Sequence, residues 1–454
     1  MSHPRRIIWF CDTDAVARNP HWLKQLRDEI GLTTIMPESS VCHTSGFAAT
    51  PGIAARGPFE DWRCREDRWP RAAEGIYPPV AGIVGGFDDG SLCRLIDAAR
   101  AVDIEVWGHL GLWSYGGDVY PEWAMQDLDG LPLDRRYQSW GIGLCPSRRA
   151  LNEWVGDGLL DLVARYSIDG FCVDHARYPS PANVHALYAC GCADCRSGAG
   201  VLGFDFEALA AAVRAARRRL AALDEAVAAR ALRTGWTGVA LLDALGLDGA
   251  ALVSWLRCRA ALVSEPMAAF RARVRAARPE LVFGSDVFAA SIALPGGHDL
   301  VPWQAATDFI TGGSSAGGVV GWATGMADAV ASWSTELSAA ARIDPELARQ
   351  LCQRFFAADT PVLPATSTDV RELPVALLYQ REVERLAALS TGAIPLYPPI
   401  SADGDPELVR DLCAAVGVSG CHGAMVSVDP ERPAAVRALA EGLAAVGETE
   451  GRAS

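Results

Sequence analysis

The run Gly170-Phe-Cys-Val, followed at once by Asp174, His175 and Arg177, constrains the fold more than any other stretch of the chain. A strand with one wet face alternates apolar and polar residues. An unbroken apolar run bounded by glycine is instead covered on both faces, as in a parallel sheet packed under helices. Parallel strands need long crossovers, and short β-branched or aromatic runs do alternate with helical patterns over nearly the whole chain. Strands are expected at Ile7–Cys11, Thr33–Pro37, Ile104–Leu112, Gly170–Asp174, Leu281–Phe288, Asp308–Gly312, Pro361–Thr366 and Gly420–Val428, with Ala393–Tyr397 competing for the seventh or eighth place. Helices are expected at Leu92–Ala101, Ala150–Tyr166, Phe206–Ala229, Asp248–Ala277, Asp344–Ala358, Val375–Ser390 and Pro406–Val416. The pattern predicts an α/β fold, a (β/α)8 TIM barrel with long βα-loop insertions. One domain is expected over residues 1–440, with inserted loops at 41–88, 113–140 and 180–205 and a tail without fixed structure at 441–454. The length of 454 residues is compatible with a single unit, because barrels with insertions run well past the usual domain size.

Composition narrows the partners. Half the residues are hydrophobic and 21% are charged, which excludes extensive disorder. Lys and Arg are outnumbered 41 to 55, for a net charge of -14; such a surface repels nucleic acid and anionic membrane. A small neutral or cationic substrate fits better, and the sequence allows a homo-oligomer. The apolar run Ile7–Cys11 is too short for a signal-peptide core or a membrane span, so a cytoplasmic location is expected. Thirteen cysteines is an odd number. Cys11, Cys172, Cys258 and Cys352 sit in apolar surroundings as small core hydrophobes, and no disulfide framework is implied. Neither Gly85-Gly86 nor Thr311-Gly-Gly-Ser-Ser315 has the strand-turn-helix context of a phosphate loop; no organic cofactor is expected.

Reacting groups in a parallel barrel sit at the C-terminal ends of the strands, which makes Asp174 the leading catalytic candidate. The alternative is a carboxylate that caps the next helix or pairs with Arg177. Asp286, in Val282-Phe-Gly-Ser-Asp-Val-Phe288, ends the next strand. Enclosure by Phe283, Val287 and Phe288 would raise its pKa. His175, Arg177, His109, Glu38, Asp12 and Asp14 are further candidates for the same face. The loops after the second and third strands bring Trp62, Trp69, Trp113, Tyr115, Trp123 and Tyr137. Flat aromatic faces of this kind stack on sugar rings, with ordinary loop packing as the alternative.

Cys190-Gly-Cys-Ala-Asp-Cys195 follows the fourth strand. Its C-x-C-x-x-C spacing lets three thiolates converge on one tetrahedral ion, with Cys145, His185, Cys64 and Cys42 available as fourth donor and Cys145 the expected one. The alternative is three reduced loop thiols. Zn2+ held this way is structural, because a closed four-ligand sphere leaves no position for a hydrolytic water.

Several blocks together resemble the uncharacterised glycosyl-hydrolase-like barrels of the α-amylase-type superfamily. Their strand-four pattern, D-G-hydrophobic-x-hydrophobic-D-x-x-R-Y-P, is matched by Asp169-Gly-Phe-Cys-Val-Asp174-His-Ala-Arg177-Tyr-Pro179. Phe87-Asp-Asp-Gly90, Glu105-Val-Trp-Gly-His-Leu110, Tyr120-Pro-Glu-Trp-Ala124, Asp129-Gly130 and Leu144-Cys-Pro146 follow the family's order, over roughly residues 5–312. The resemblance implies cleavage or rearrangement of a glycosidic bond, with Asp174 as the strand-four carboxylate. The chain departs from the amylases proper at Cys172, where they carry Arg, and at Asp286, where a Glu serves as general acid. The cysteine block resembles the zinc cluster of the family forty-two β-galactosidases, whose metal is structural. Glycoside hydrolysis asks for two carboxyl groups, ~5 to 5.5 Å apart for retention or ~6.5 to 9.5 Å for inversion. A sugar- or sugar-metabolite-binding barrel without hydrolysis, and a zinc-dependent hydrolase, are the alternatives.

Overall fold

Nine strands form one parallel sheet: β1 (Arg6–Asp12), β2 (Thr34–Glu38), β3 (Glu105–Gly111), β4 (Gly170–Asp174), β5 (Val282–Val287), β6 (Ile310–Gly312), β7 (Leu396–Tyr397), β8 (Pro399–Ser401) and β9 (Gly423–Ser427). The structure, a computed structural model, describes residues 5–38, 90–113, 121–133, 143–312, 318–356, 374–390, 392–402 and 404–450. The strand order is β7-β6-β5-β4-β3-β2-β1-β9-β8. Only Pro398 separates β7, which pairs with β6, from β8, which pairs with β9, so the two ends of the order meet in one broken stave. Proline has no N–H for the ladder, but the Pro398 carbonyl still accepts from Met425 N at 3.0 Å. The result is a nearly closed α/β barrel.

Strand alternation sorts the side chains into two layers. Ile8, Met36, Trp107, Cys172, Phe309, Tyr397 and Met425 fill the barrel, while Ile7, Trp9, Ile35, Val106, Phe171, Val173, Phe283 and Ile310 pack outward under the helices. The same parity puts Asp12, His109, Asp174, Asp286 and Thr311 on the inward register. Register is pinned by aspartates just ahead of the strands. Asp169 Oδ2 accepts from Val106 N at 2.9 Å and Asp308 Oδ2 accepts from Phe283 N at 2.9 Å, each tying the start of one strand to its neighbour.

β4 is where the sequence places it, and β7 falls within Ala393–Tyr397; the rival Pro361–Thr366 lies outside the described residues. The helix expected at Phe206–Ala229 is two, Phe206–Ala221 and Glu225–Arg233. Asp224 breaks it by accepting from the Ala226 and Val227 amides as an N-cap. The expected loop 180–205 contains the helix Ala193–Val201, and the supposed tail is mostly helix, Pro433–Glu450. Val436, Leu439 and Leu443 recur at helical spacing there and are buried, which anchors the segment. A further long helix runs over Gly318–Ala341. Among the described residues no helix is long and apolar enough to cross a membrane.

Candidate functional site

Asp174 ends β4 with only 4% of its surface exposed. Its Oδ1 accepts the His175 backbone N–H at 2.6 Å. Its Oδ2 lies 2.9 Å from His175 Nε2 and 3.7 Å from His109 Nε2. His175 has φ of 59°, a left-handed conformation uncommon outside glycine. That turn, with Arg177 N donating to His175 O at 2.8 Å, keeps the chain from entering a helix after the strand. It folds His175 and Arg177 back over the carboxylate, and Arg177 Nη2 reaches 3.4 Å from His175 Nδ1.

Burial works to raise the Asp174 pKa, but His175, His109 and Arg177 outweigh it and hold the carboxyl far below the usual carboxylate range. Burial lowers the pKa of both histidines, more than Asp174 raises it. His175 lies between the Asp174 carboxylate and the Arg177 guanidinium. Its bonding pattern assigns the proton to Nε2, donated to Asp174, which leaves Nδ1 to accept from Arg177. Asp174 is thus an ionised, fixed acceptor and no proton donor.

Asp286 is also buried. Val173 pairs with Ser285, so Asp174 and Asp286 end adjacent strands at the same level. Below them, inside the barrel, the Cys172 thiol is pushed well up by burial and by both carboxylates, and Thr311 Oγ1 lies 3.5 Å from its sulfur. The expected pocket of Phe283, Val287 and Phe288 around Asp286 does not form as such: Phe283 and Val287 belong to the outer layer, since residues at odd spacing along a strand face opposite ways. Phe288 lies under the Arg177 guanidinium, 4.3 Å from its ring centre.

His298 joins the two strand ends. Its Nδ1 accepts from Phe288 N at 3.3 Å and its Nε2 donates to Ala176 O at 3.0 Å. Burial first, and Arg177 second, lower its pKa to about 3, which preserves the neutral tautomer that both bonds require. Sequence reasoning missed His298 because nothing local marks it; it lies 122 residues from Ala176.

Among the described residues, Asp12 and Trp113 are not drawn to Asp174. Asp12 is exposed, and its Oδ1 accepts from Ala15 N at 2.6 Å, capping the helix Thr13–Arg18. Glu38 pairs with Asp12 in the strand register, and its side chain lies outside what the structure describes. Trp113 is a core residue and not a wall of the mouth. A φ of 43° turns it under the helices, where Nε1 donates to Asn152 Oδ1 at 3.0 Å and the ring lies 6.2 Å from Phe270. Tyr115, Trp62, Trp69 and Tyr137 lie outside the described residues, as does the whole of the inserted loop 41–88.

Cys145, Cys190, Cys192 and Cys195 are all buried, with their sulfurs within 4.8 Å of one another. Cys145 Sγ lies 3.4 Å from Cys192 Sγ and 3.3 Å from Cys195 Sγ, somewhat inside the ~3.8 Å edge of a tetrahedron with Zn–S of ~2.3 Å. The Gln126 amide donates to Cys190 Sγ at 3.4 Å. Burial pushes the Cys145 thiol well up, and its sulfur neighbours push Cys195 up; several thiolates can coexist here only around a cation. Four soft donors at this spacing fit a tetrahedral metal ion. Of the alternative donors, His185 faces Glu336 at 3.5 Å, and Cys42 and Cys64 lie outside the described residues. The cluster ties the segment after β3 to the segment after β4, where Gly191 N also donates to Gln126 O at 2.9 Å.

No family model and no curated protein matches the chain. Solved structures do. The glycoside hydrolase domain of PgaB (BpsB) from Bordetella bronchiseptica superposes with a TM-score of 0.53 at 12% identity, over 97% of this chain and 99% of that one. The β-galactosidase of the psychrophilic Marinomonas ef1 gives 0.50 at 11% identity, over 98% of this chain and 60% of that one. The barrel has a fold that glycoside hydrolases use. At such identities the likeness extends to the fold alone, and the chain spans 60% of the galactosidase.

Proposed function

We propose that the protein cleaves or rearranges a glycosidic bond in a small carbohydrate or glycoside, with Asp174 as the ionised carboxylate and Asp286 as the proton donor. The observation that carries this reading is the fixed, ionised Asp174 at the mouth end of β4, with a second buried acid at the same level of β5. A nucleophile or general base must be deprotonated before the sugar arrives, and the Arg177–His175 chain keeps it so. Its complement must carry a proton to the leaving oxygen. His175 has no role as a base, since both ring nitrogens are engaged by Asp174 and Arg177.

The strand-four block carries the α-amylase-type affiliation. Where amylases set an Arg two residues ahead of the acid, this chain has Cys172, and the cationic support comes from beyond the strand, from Arg177 and the His175 it polarises. The thiol cluster is proposed to hold structural Zn2+ through Cys145, Cys190, Cys192 and Cys195. When bound, the ion would offset part of the thiolate charge and fasten the two loops; with four protein ligands it presents no site for substrate, which speaks against a zinc-dependent hydrolase. Reduced cysteines in such a site suit a cytoplasmic setting.

A panel of aryl glycosides assayed with wild type, Asp174→Asn and Asp286→Asn tests the reading. Turnover that drops by orders of magnitude in both variants supports it. Near wild-type turnover in Asp174→Asn removes that residue from catalysis. Saturable sugar binding without turnover of any substrate favours the second reading, a barrel that binds a sugar or sugar metabolite. That reading draws on the engagement of both Asp174 oxygens by His175.

A further inference from the structure

Arg259 lies on the long helix Gly249–Ala277 and is 1% exposed. Its guanidinium donates from Nε to Ala189 O at 2.5 Å, from Nη1 to Pro295 O at 2.8 Å and from Nη2 to Ala186 O at 3.0 Å. It rests on the face of Tyr178, 4.1 Å from the ring centre. Among the described residues no carboxylate forms an ion pair with it. Carbonyl dipoles satisfy its N–H groups but supply no net negative charge, and an uncompensated buried cation is costly.

The nearby groups that can become anionic are one phenol and three thiols. Tyr178, Cys190, Cys195 and Cys258 are the groups whose charge acts on Arg259, and two of these are members of the four-sulfur cluster. Four thiolates around a divalent ion carry a net charge of about -2. Tyr178 adds a second sign. It is fully buried, its hydroxyl has no hydrogen-bond partner among the described residues, and Cys195, Cys145 and Cys190 all act on it electrostatically. A buried hydroxyl proton without an acceptor is better accommodated near negative charge in the cluster than near neutral thiols.

We propose that Arg259 is the counter-cation of a tetrathiolate metal centre at Cys145, Cys190, Cys192 and Cys195. The inference rests on the metal reading above and is independent of the glycosidase reading. The guanidinium also couples three segments. Ala186 and Ala189 lead into Cys190. Pro295 lies in the last turn of the helix Ala290–Gly296 that follows β5, and the adjacent Gly296 O accepts from the N–H of Tyr178, four residues beyond Asp174, at 3.0 Å. The metal loop and the ends of β4 and β5 therefore converge on one side chain, which acts as a positioning residue.

The test compares Arg259→Gln, which keeps hydrogen-bonding capacity without charge, with Arg259→Lys, which keeps charge without the planar fork. Zinc per chain is measured in protein purified without chelator, Zn2+ affinity by competition with a chromophoric chelator, and melting temperature with and without the metal. Wild type is expected to hold one Zn2+. Arg259→Gln should bind it about 10 to 100-fold more weakly, Arg259→Lys within a few-fold of wild type, and the loss of melting temperature in Arg259→Gln should be larger in the zinc-loaded than in the metal-free protein. Wild-type Zn2+ affinity in Arg259→Gln, equal weakening in both variants, or equal thermal losses with and without metal would each overturn the counter-cation role. Wild type that binds no zinc sinks the metal reading itself, a result distinguishable from all of these. Should Arg259→Gln fail to fold, Arg259→Lys decides: charge pairing requires that it retain zinc.

Discussion

Asp12 and Asp174 are the same residue type at the same place in the architecture, the last position of a parallel strand on the inward register, and they do opposite things. Asp12 is exposed and spends its carboxylate on the Ala15 amide. Asp174 is buried between two histidines with an arginine behind them. What separates them is the next few residues. After Asp12 the chain passes directly into the helix Thr13–Arg18, whose first-turn amides need an acceptor. After Asp174 the left-handed His175 blocks a helix, and the following side chains turn back onto the acid. A strand-end acid in a barrel is therefore a candidate site only when the chain beyond it does not claim it as a cap.

The sharpest way to break this contrast is to neutralise both. Asp174→Asn is expected to lower kcat/KM by roughly 10²–10⁴-fold or more on any glycoside the wild type turns over, whereas Asp12→Asn leaves turnover essentially unchanged. Equal losses would mean that the cap and the ringed acid are not distinct. Arg177→Met comes next. It removes a cation that helps depress the Asp174 pKa and, through His175 Nδ1, the hydrogen bond that orients the ring. The Asp174 pKa should rise, so the acid limb of the pH–rate profile should move to higher pH while the melting temperature changes little by comparison. An unmoved acid limb would show that Arg177 does not set the charge of Asp174.

How much of this was legible before the structure follows the same line. Gly170–Asp174 could be located to the residue because a short apolar run ended by a polar cluster has one reading in a parallel sheet. The cysteine site was legible as a spacing, since C-x-C-x-x-C is local and Cys145 lies just ahead of the helix Arg149–Arg165 that leads into β4. The seventh stave was legible only as one of two rivals, Ala393–Tyr397 against Pro361–Thr366, because Leu396–Ser401 is split at Pro398 and is too short to show a period. Asp286 was legible as a strand-end acid, but its surroundings were misassigned by counting neighbours in sequence instead of alternating faces. The sequence suggests a sugar-stacking role for Trp113; a positive φ, invisible in the residue type, sends it into the helix layer. His298 and Arg259 act through backbone carbonyls of segments distant in sequence, and a single sequence holds no record of such pairings.

His298 offers a test on stability. Its folded pKa of about 3 lies below the ordinary histidine value. Between these values the unfolded chain takes up a proton that the folded chain refuses, so stability is fully present above about pH 6.5 and is lost as pH falls toward 3. His298→Gln, which keeps a donor and an acceptor but cannot titrate, should remove ~1–3 kcal/mol of this acid dependence. The comparison is between wild-type and variant unfolding free energies from denaturant titrations at pH 7.5 and pH 4.5. Parallel losses in the two proteins would remove His298 as the acid-sensitive joint between the β4 and β5 ends.

The smallest effect belongs to the cap. Asp12→Ala deletes the acceptor for the Ala15 amide but leaves that amide at an exposed helix start, where water replaces the carboxylate. The expected cost is about 1 kcal/mol, confined to the helix Thr13–Arg18 and the segment it packs on. Hydrogen exchange should therefore quicken at Ala15 and Val16 and stay as in wild type at His175 and Arg177. Faster exchange at His175 in Asp12→Ala would mean that the two strand ends communicate across the barrel mouth, and the division between a capping acid and the proposed catalytic one would fail.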